Sequence, residues 1–471
     1  MSDSANLWQQ GTLIDVDVVD LSDRGDGVAK WDDRAIFIPD TVPGDRVQVR
    51  LVQVKRHYAH GKLQGIVTAS PDRIRPRCIV ADKCGGCQWQ HIDDAAQRTA
   101  KVNLVEQALQ RIGGFESLTL APLLTGETLH YRNKATYPLH RSTQNNTVQA
   151  GYYRKGSHQV VNLNQCPVQD ERLDPLLAEV KQDIAERGWS IYNEKRHQGR
   201  LRHLALRVGR RTGQQLLTLV SCDRAMPGLE EQAQIWLDRY PGLVGVCLNH
   251  NPQRGNVIFG DDTLCMAGQP YLEETFAGLT FRLRPETFFQ VNTEVAEQLL
   301  EVIQTQLNLQ GDEVLLDAYC GIGTFTLPLA QRVQLAIGVE SQGSAIAQAE
   351  INAKLNGIHN TVFHIKTMEN WIKTCDTAPD VALVDPPRKG CDRSVIDSLL
   401  RLNPQRIVYV SCKPATLARD LKLLCEGDRY RITHLQPADL FPQTPHIECV
   451  AILQAQTTTP EPSDSIDEEP V

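Results

Sequence analysis

Apolar and polar residues alternate with period two in short runs near the start of the chain: Thr12-Leu-Ile-Asp-Val-Asp-Val-Val, Ala35-Ile-Phe-Ile-Pro39, Arg46-Val-Gln-Val-Arg-Leu-Val and Gly61-Lys-Leu-Gln-Gly-Ile-Val. Such alternation marks strands with one buried face. Turn residues separate them at Gly25-Asp26-Gly27 and Val42-Pro43-Gly44-Asp45, which predicts a small closed β-barrel over residues 10–70, after an N-terminal tail of residues 1–9. The period then lengthens. From Asp93 to Ile112, an apolar stripe of Val102, Leu104, Val105, Ala108, Leu109 and Ile112 predicts a helix ended by Gly113-Gly114. Mixed patterns continue up to about Arg284, with strands such as Leu201-Arg-His-Leu-Ala-Leu-Arg-Val and Gln215-Leu-Leu-Thr-Leu-Val. They predict a central α+β domain over residues 71–284. Over residues 285–456, apolar strands end one after another in reactive or charged residues, as in an open α/β sheet.

Those strand ends carry the candidate chemistry. Arg406-Ile-Val-Tyr-Val410 is a β-branched and aromatic strand, and Pro414 stops it two residues past Cys412, so the thiol is displayed at the sheet edge. Upstream, Val314-Leu-Leu-Asp317-Ala-Tyr319-Cys-Gly321-Ile-Gly323 ends a strand in a carboxylate followed by turn glycines, a backbone that lies close to a nucleotide-like ligand. The next strand ends at Glu340, where a carboxylate can hold both hydroxyls of a ribose. The glycine pattern lacks the third glycine of the dinucleotide fingerprint, and S-adenosylmethionine, with a ribose and no phosphate, suits it better than NAD. A third strand runs into Asp385-Pro-Pro-Arg388, whose prolines fix a carboxylate and a guanidinium at the same edge.

Composition fits an intracellular enzyme of several domains. The 471 residues include 13 cysteines, yet there is no apolar leader and no 18-residue apolar run, which predicts a cytoplasmic protein of free thiols or metal ligands with no membrane partner. The net charge of −8 is a poor guide to an RNA partner. The last twelve residues hold five acids and no base, leaving −3 for the rest, and residues 457–471 are expected to be a disordered acidic tail. Bases cluster at Lys55-Arg56-His57, Arg73 to Arg77, Lys195-Arg196-His197, Arg200-Leu-Arg202 and Arg207 to Arg211, and phosphate contacts need only local positive charge.

Cys78, Cys84 and Cys87 surround a tight Gly85-Gly86 turn. Three thiolates need a fourth ligand, and Cys166, followed by Pro167, is the candidate. Four thiolates suit either an iron–sulfur cluster or tetrahedral zinc.

The order Phe288-Phe-Gln290-Val-Asn292, Asp317-Ala-Tyr319-Cys-Gly-Ile-Gly323, Asp385-Pro-Pro-Arg388, Ser411-Cys412-Lys-Pro-Ala-Thr-Leu and Phe441-Pro-Gln-Thr-Pro-His446-Ile-Glu448 resembles the RNA 5-methyluridine methyltransferases. The likeness covers nearly the whole chain and fits best the RlmD-type branch, which acts on 23S rRNA. It implies an OB-like TRAM barrel, a [4Fe-4S] cluster on Cys78, Cys84, Cys87 and Cys166, and a Rossmann-like methyltransferase domain. It also implies an S-adenosylmethionine pocket formed by Gln290, Tyr319, Glu340 and Asp385, with Thr367 standing where relatives can carry asparagine. Lys413 departs from the asparagine of many relatives. Segment Tyr131-Arg132-Asn133-Lys134 resembles one near the family's active site and is expected to touch RNA.

Uracil C5 is a weak nucleophile, and a thiolate adding to C6 activates it. Cys412 is the candidate nucleophile, and by resemblance Glu448 is the base that removes the C5 proton. The base must be flipped out of structured RNA to meet both thiol and methyl donor. The expected function is therefore 5-methyluridine formation by a monomer, most readily in 23S rRNA, with tRNA as the alternative. A cytosine-C5 RNA methyltransferase and a non-catalytic RNA-binding assembly factor are the competing classes; intact Gln290, Asp317, Asp385, Cys412 and Glu448 argue against the second.

Overall fold

The computed structural model describes residues 8–142, 144–375 and 378–456. The tail expected at 457–471 and the first seven residues of the tail expected at 1–9 lie outside the described residues. Strands β1 (Leu13–Leu21), β2 (Gly27–Trp31), β3 (Arg34–Ile38), β4 (Arg46–Val54) and β5 (Tyr58–Thr68) close a barrel in the order β1-β2-β3-β5-β4. Alternate residues point inward, and Ile36, Ile38, Val47, Val49, Leu51 and Ala59 are fully buried. β2 was hidden from the pattern because its first residue, Gly27, reads as part of a turn. Gly27 pairs with both Leu21 and Ile38.

Helix α1 (Asp94–Ala108) is capped by Asp93, whose Oδ1 accepts from the Ala95 N–H at 2.9 Å. It continues as a π turn over Leu109–Gly113, and this corrects the expected stripe. A π turn holds more residues than an α turn and so rotates the later side chains about the helix axis, and Ile112 faces out at 44% exposure. Lys101 is instead fully buried on this face and pairs with Asp439 at 2.5 Å. Val105, Ala108 and Leu109 pack into the core of the last domain.

The central sheet combines β6 (Lys134–Arg141), β7 (Val148–Ala150), β8 (Leu201–Val208), β9 (Gln215–Ser221), β10 (Leu243–His250) and β11 (Asp262–Gly268) in the order β11-β10-β9-β8-β6-β7. Helices α2 (Asp174–Glu186) and α3 (Leu229–Arg239) contribute Leu176, Leu177, Val180 and Trp236 to its core. A hairpin of β12 (Leu272–Phe276) and β13 (Leu279–Leu283) leads into α4 (Thr293–Leu307). Here the Arg207–Arg211 cluster departs from its expected place against phosphate. Arg207 is 3% exposed and donates to the Thr287 carbonyl at 2.6 Å. Arg210 pairs with Asp170 at 2.5 Å and Glu294 at 3.1 Å, and Arg211 pairs with Glu294 and Glu297. These cations dock the central domain onto α4.

The last domain is a seven-stranded sheet of β14 (Val314–Ala318), β15 (Leu335–Glu340), β16 (Thr361–Ile365), β17 (Val381–Val384), β18 (Arg406–Ser411), β19 (Tyr430–Ala438) and β20 (Glu448–Ala455), in the order β16-β15-β14-β17-β18-β20-β19. β14 to β18 are parallel, and β20 runs antiparallel to β18. All four residues of β17 are fully buried, as a parallel strand covered on both faces must be. Two cores, one on each face, hold the sheet rigid.

Candidate active site and cysteine cavity

Topology brings together residues far apart in sequence. β20 runs back along β18, with Ser411 opposite Cys449, so Cys412 follows one partner and Glu448 precedes the other at the same sheet edge. Cys412 is half-buried, and Glu448 is 8% exposed. From the turn after β17, Arg388 faces the Cys412 thiol across one cavity wall and approaches His446 Nε2 at 3.5 Å. Burial pushes the thiol up, and the negative charge of Glu448 adds to this while Arg388 opposes it. Burial, then Asp385, raises the Glu448 carboxyl well above the ordinary range, with Arg388 again opposing. Burial also raises Asp385 to about 7. One guanidinium thus faces a thiol and one acid, with Asp385 close enough to act on both, in a poorly solvated corner where each negative charge raises the cost of the next. The corner opens into a cavity of about 480 Å³ lined by Cys412, Arg388, His446, Arg24, Arg111 and Ile112.

The wall residues Arg24, Arg111 and Ile112 were missed in the sequence. Arg24 comes from a barrel turn and the other two from the π turn after α1. The 441–446 loop before Glu448 is held by α1: Gln97 Nε2 donates to Gln443 Oε1 at 3.1 Å, and Lys101 Nζ donates to the Phe441 carbonyl at 2.9 Å. Tyr131 and Asn133, expected to touch RNA, are 2% and 3% exposed. Tyr131 Oη donates to the Pro442 carbonyl at 3.1 Å and Asn133 Nδ2 to the Gln290 carbonyl at 2.8 Å, so both support the site from behind.

The neighbouring strand ends form the second half of the crevice, on either side of β14, where the strand order reverses. Tyr319, Gly321 and Gly323 have φ of +73°, +54° and +84°, a left-handed path that turns the backbone sharply after Asp317. Asp317 accepts from Thr326 Oγ1 at 2.5 Å, and burial raises it to about 7. Glu340 Oε1 accepts from Gln342 N–H at 2.9 Å and from Ser341 Oγ at 3.0 Å, which holds a carboxylate at the end of β15. Gln290 is buried just before α4, and Asn292 Nδ2 is buried without a protein partner among the described residues. Phe288 is 66% exposed.

Cys78, Cys84, Cys87 and Cys166 line one cavity of about 300 Å³, which shares Arg388 and His446 with the Cys412 cavity. The tight turn is required by packing: a Cβ on Gly85 would stand 2.9 Å from the Tyr153 carbonyl, and one on Gly86 3.1 Å from the Tyr152 ring. Burial pushes the Cys87 thiol up to about 11 and the Cys166 thiol up to about 12; Cys78 and Cys84 add to both, and Cys87 adds to Cys166. Gly86 N–H donates to Cys84 Sγ at 3.4 Å. Among the described residues no three His, Cys, Asp or Glu side chains converge tightly enough for a single metal ion.

A TRAM domain model matches residues 7–63, and a model described as tRNA (Uracil-5-)-methyltransferase matches residues 265–456. An uncharacterized RNA methyltransferase of Nostoc sp. is 63% identical, covering 95% of this chain and 97% of its own. Another, from Halalkalibacterium halodurans, is 39% identical, covering 94% and 97%. Among solved structures, the tRNA (uracil-54, C5)-methyltransferase of Pyrococcus abyssi in complex with S-adenosyl-L-homocysteine is similar, with a TM-score of 0.75, 27% identity and coverage of 93% of this chain and 100% of that one. With a closed barrel in front of a methyltransferase sheet and relatives matched almost end to end, the chain belongs to the RNA (uracil-5-)-methyltransferase family and is an S-adenosylmethionine-dependent RNA methyltransferase.

Proposed function

We propose that the protein forms 5-methyluridine in 23S rRNA, with Cys412 as nucleophile and Glu448 as base. The observation that carries the mechanism is the placement of Cys412 and Glu448 at one edge of the β18–β20 ladder, close enough that the Glu448 charge acts on the Cys412 thiol. Arg388 stabilises the thiolate as Cys412 adds to uracil C6, giving C5 enolate character. S-adenosylmethionine supplies the methyl group when bound, and Gln290, Tyr319, Glu340 and Asp385 are the residues that would hold it, with Glu340 at the ribose. Glu448 then removes the C5 proton, and the Cys412 sulfur leaves as C5=C6 re-forms. A carboxyl raised by burial is matched to this step, because a base of higher pKa takes a carbon-bound proton more readily.

We assign a [4Fe-4S] cluster to Cys78, Cys84, Cys87 and Cys166, with a structural role beside the RNA site. The barrel combined with this cysteine set supports the 23S rRNA substrate. The likeness to a tRNA uracil-54 enzyme supports tRNA as a second reading. Nucleophile and base come from one chain, which supports a monomer, and 13 free thiols suit a reducing cytoplasm. Among the described residues no helix is long and apolar enough to cross a membrane. Mass-spectrometric mapping of 5-methyluridine in ribosomal and transfer RNA, with and without the gene, tests the substrate. Loss from 23S rRNA alone supports the proposal, loss from tRNA alone transfers it to tRNA, and no loss from either removes it.

A further inference from the structure

Four cavities share walls in series, starting at the catalytic thiol. Arg388 and His446 line both the Cys412 cavity and the cysteine cavity. Gly85, Gly86, Gln88 and Tyr152 line both the cysteine cavity and a cleft of about 510 Å³ between the barrel and the 152–156 hairpin. Tyr153 lines that cleft and also a fourth cavity of about 300 Å³ in the central domain. The result is a row of adjoining cavities from Cys412 to the loop at residues 191–195.

The far cavity has the two features that bind unpaired nucleic acid: rings on which a base can stack and cations that can meet phosphate. Tyr153 and His158 lie 5.0 Å apart at 30°, and the Arg202 guanidinium sits 5.2 Å from the centre of the Tyr192 ring. Arg141 and Lys195 line the cavity, and Arg196 is next in the chain. The backbone N–H groups of Lys195 and Arg196 donate to Asn193 Oδ1 at 3.1 and 3.0 Å, which fixes the loop and leaves both residues exposed. This contrasts with Arg210 and Arg211, whose charges are taken up by acids. The acid in the wall, Glu194, accepts from Tyr153 Oη and contacts His158 Nδ1, each at 3.2 Å, which aligns the rings. In the intervening cleft Asp40 is paired with Lys155 at 2.5 Å, leaving Asp26 and Arg154 as its other charges.

We propose that the cavity at Tyr153, His158, Tyr192 and Lys195 is a distal RNA subsite, which takes an unpaired nucleotide from the strand flanking the target uridine. The inference rests on the RNA methyltransferase reading and names where that enzyme grips its substrate away from the reacting base. It predicts that affinity depends on RNA length beyond the target loop.

The test uses the full protein and two RNAs. One is the loop in which the modified uridine is mapped, and the other is the same loop with single-stranded extensions on the order of six nucleotides on each side, within the range of such grooves. The extended RNA should bind about ten-fold more tightly to the wild type. The double variant Lys195→Glu, Arg196→Glu, and separately Tyr192→Ala, should lose most of this gain while methylating the minimal loop at the wild-type rate. The slope of log affinity against log salt on extended RNA should become shallower by about 0.7 per lost phosphate contact in the charge variant. A 4-thiouridine in the extension should crosslink to Tyr153 or Tyr192. No gain from extension, equal losses on both RNAs, or crosslinks elsewhere would overturn the subsite. If the wild-type protein methylates neither RNA, the function proposed above falls first, a result distinct from methylation without length dependence.

Discussion

Replacing Glu448 with Gln separates the last chemical step from those before it. The side chain keeps its volume, and because burial raises the carboxyl well above its ordinary range, a neutral amide replaces a group whose charged form is already disfavoured there. Stability should change by less than about 1 kcal/mol, the cost typical of a substitution that leaves no buried charge or cavity. Catalysis should not survive as well. A positioned base contributes about 10²- to 10⁴-fold, or roughly 2.7 to 5.5 kcal/mol in the barrier. Cys412 addition and methyl transfer remain possible, but the C5 proton stays, so methylated RNA should remain bonded to the Cys412 sulfur. The assay is a denaturing gel with labelled RNA, in which a slow-migrating band forms at up to one RNA per chain, with the attachment mapped by mass spectrometry. Cys412→Ala, alone or with Glu448→Gln, should give neither band nor product. RNA containing 5-fluorouridine should trap the wild-type enzyme in the same way. Normal turnover by Glu448→Gln, or a band that persists without Cys412, would refute the assigned roles.

Protein purified without oxygen should be brown and carry about four irons per chain on the four cysteines; a colourless protein with stoichiometric zinc would overturn the cluster. Glu340→Ala should weaken S-adenosylmethionine binding about ten-fold or more, since a charge-assisted hydrogen bond is worth roughly 1.5 to 3 kcal/mol; unchanged affinity by calorimetry would move the ribose elsewhere. Lys101→Met leaves Asp439, 3% exposed, without its cation, and denaturant unfolding should show a loss of about 3 to 5 kcal/mol, largely recovered when Asp439→Leu is added. Asp385 has a folded pKa raised from 3.8 to about 7, so its contribution to stability is fully present below pH 3.8 and is lost as pH rises through 7. Asp385→Asn should therefore melt at higher temperature than wild type at pH 8, with the difference vanishing towards pH 4; equal melting at both would show that burial of this carboxyl has no energetic cost.

The barrel and the strand ends of the methyltransferase sheet were legible in the sequence because their signals are local. Period-two alternation needs only neighbouring residues to be read, and so do the turn glycines after Asp317 and the Pro386-Pro387 stop. The spacing of Cys78, Cys84 and Cys87 around two glycines is local in the same sense. Composition alone would have hidden the RNA partner, since the acidic tail dominates the net charge.

Tertiary structure decided what long-range contacts do with those residues. Gln97 meets Gln443 across 346 positions, and no local pattern announces a fully buried Lys101 whose partner, Asp439, lies 338 positions away. The π turn sends Ile112 from the expected core to the wall of the Cys412 cavity, because one altered turn changes the phase of every residue after it. Arg207 to Arg211 look the same in sequence as Lys195-Arg196, yet the first group meets acids and carbonyls and the second stays exposed. A side chain's charge is written in the sequence, but whether it faces phosphate, protein or water depends on which surfaces the fold brings against it.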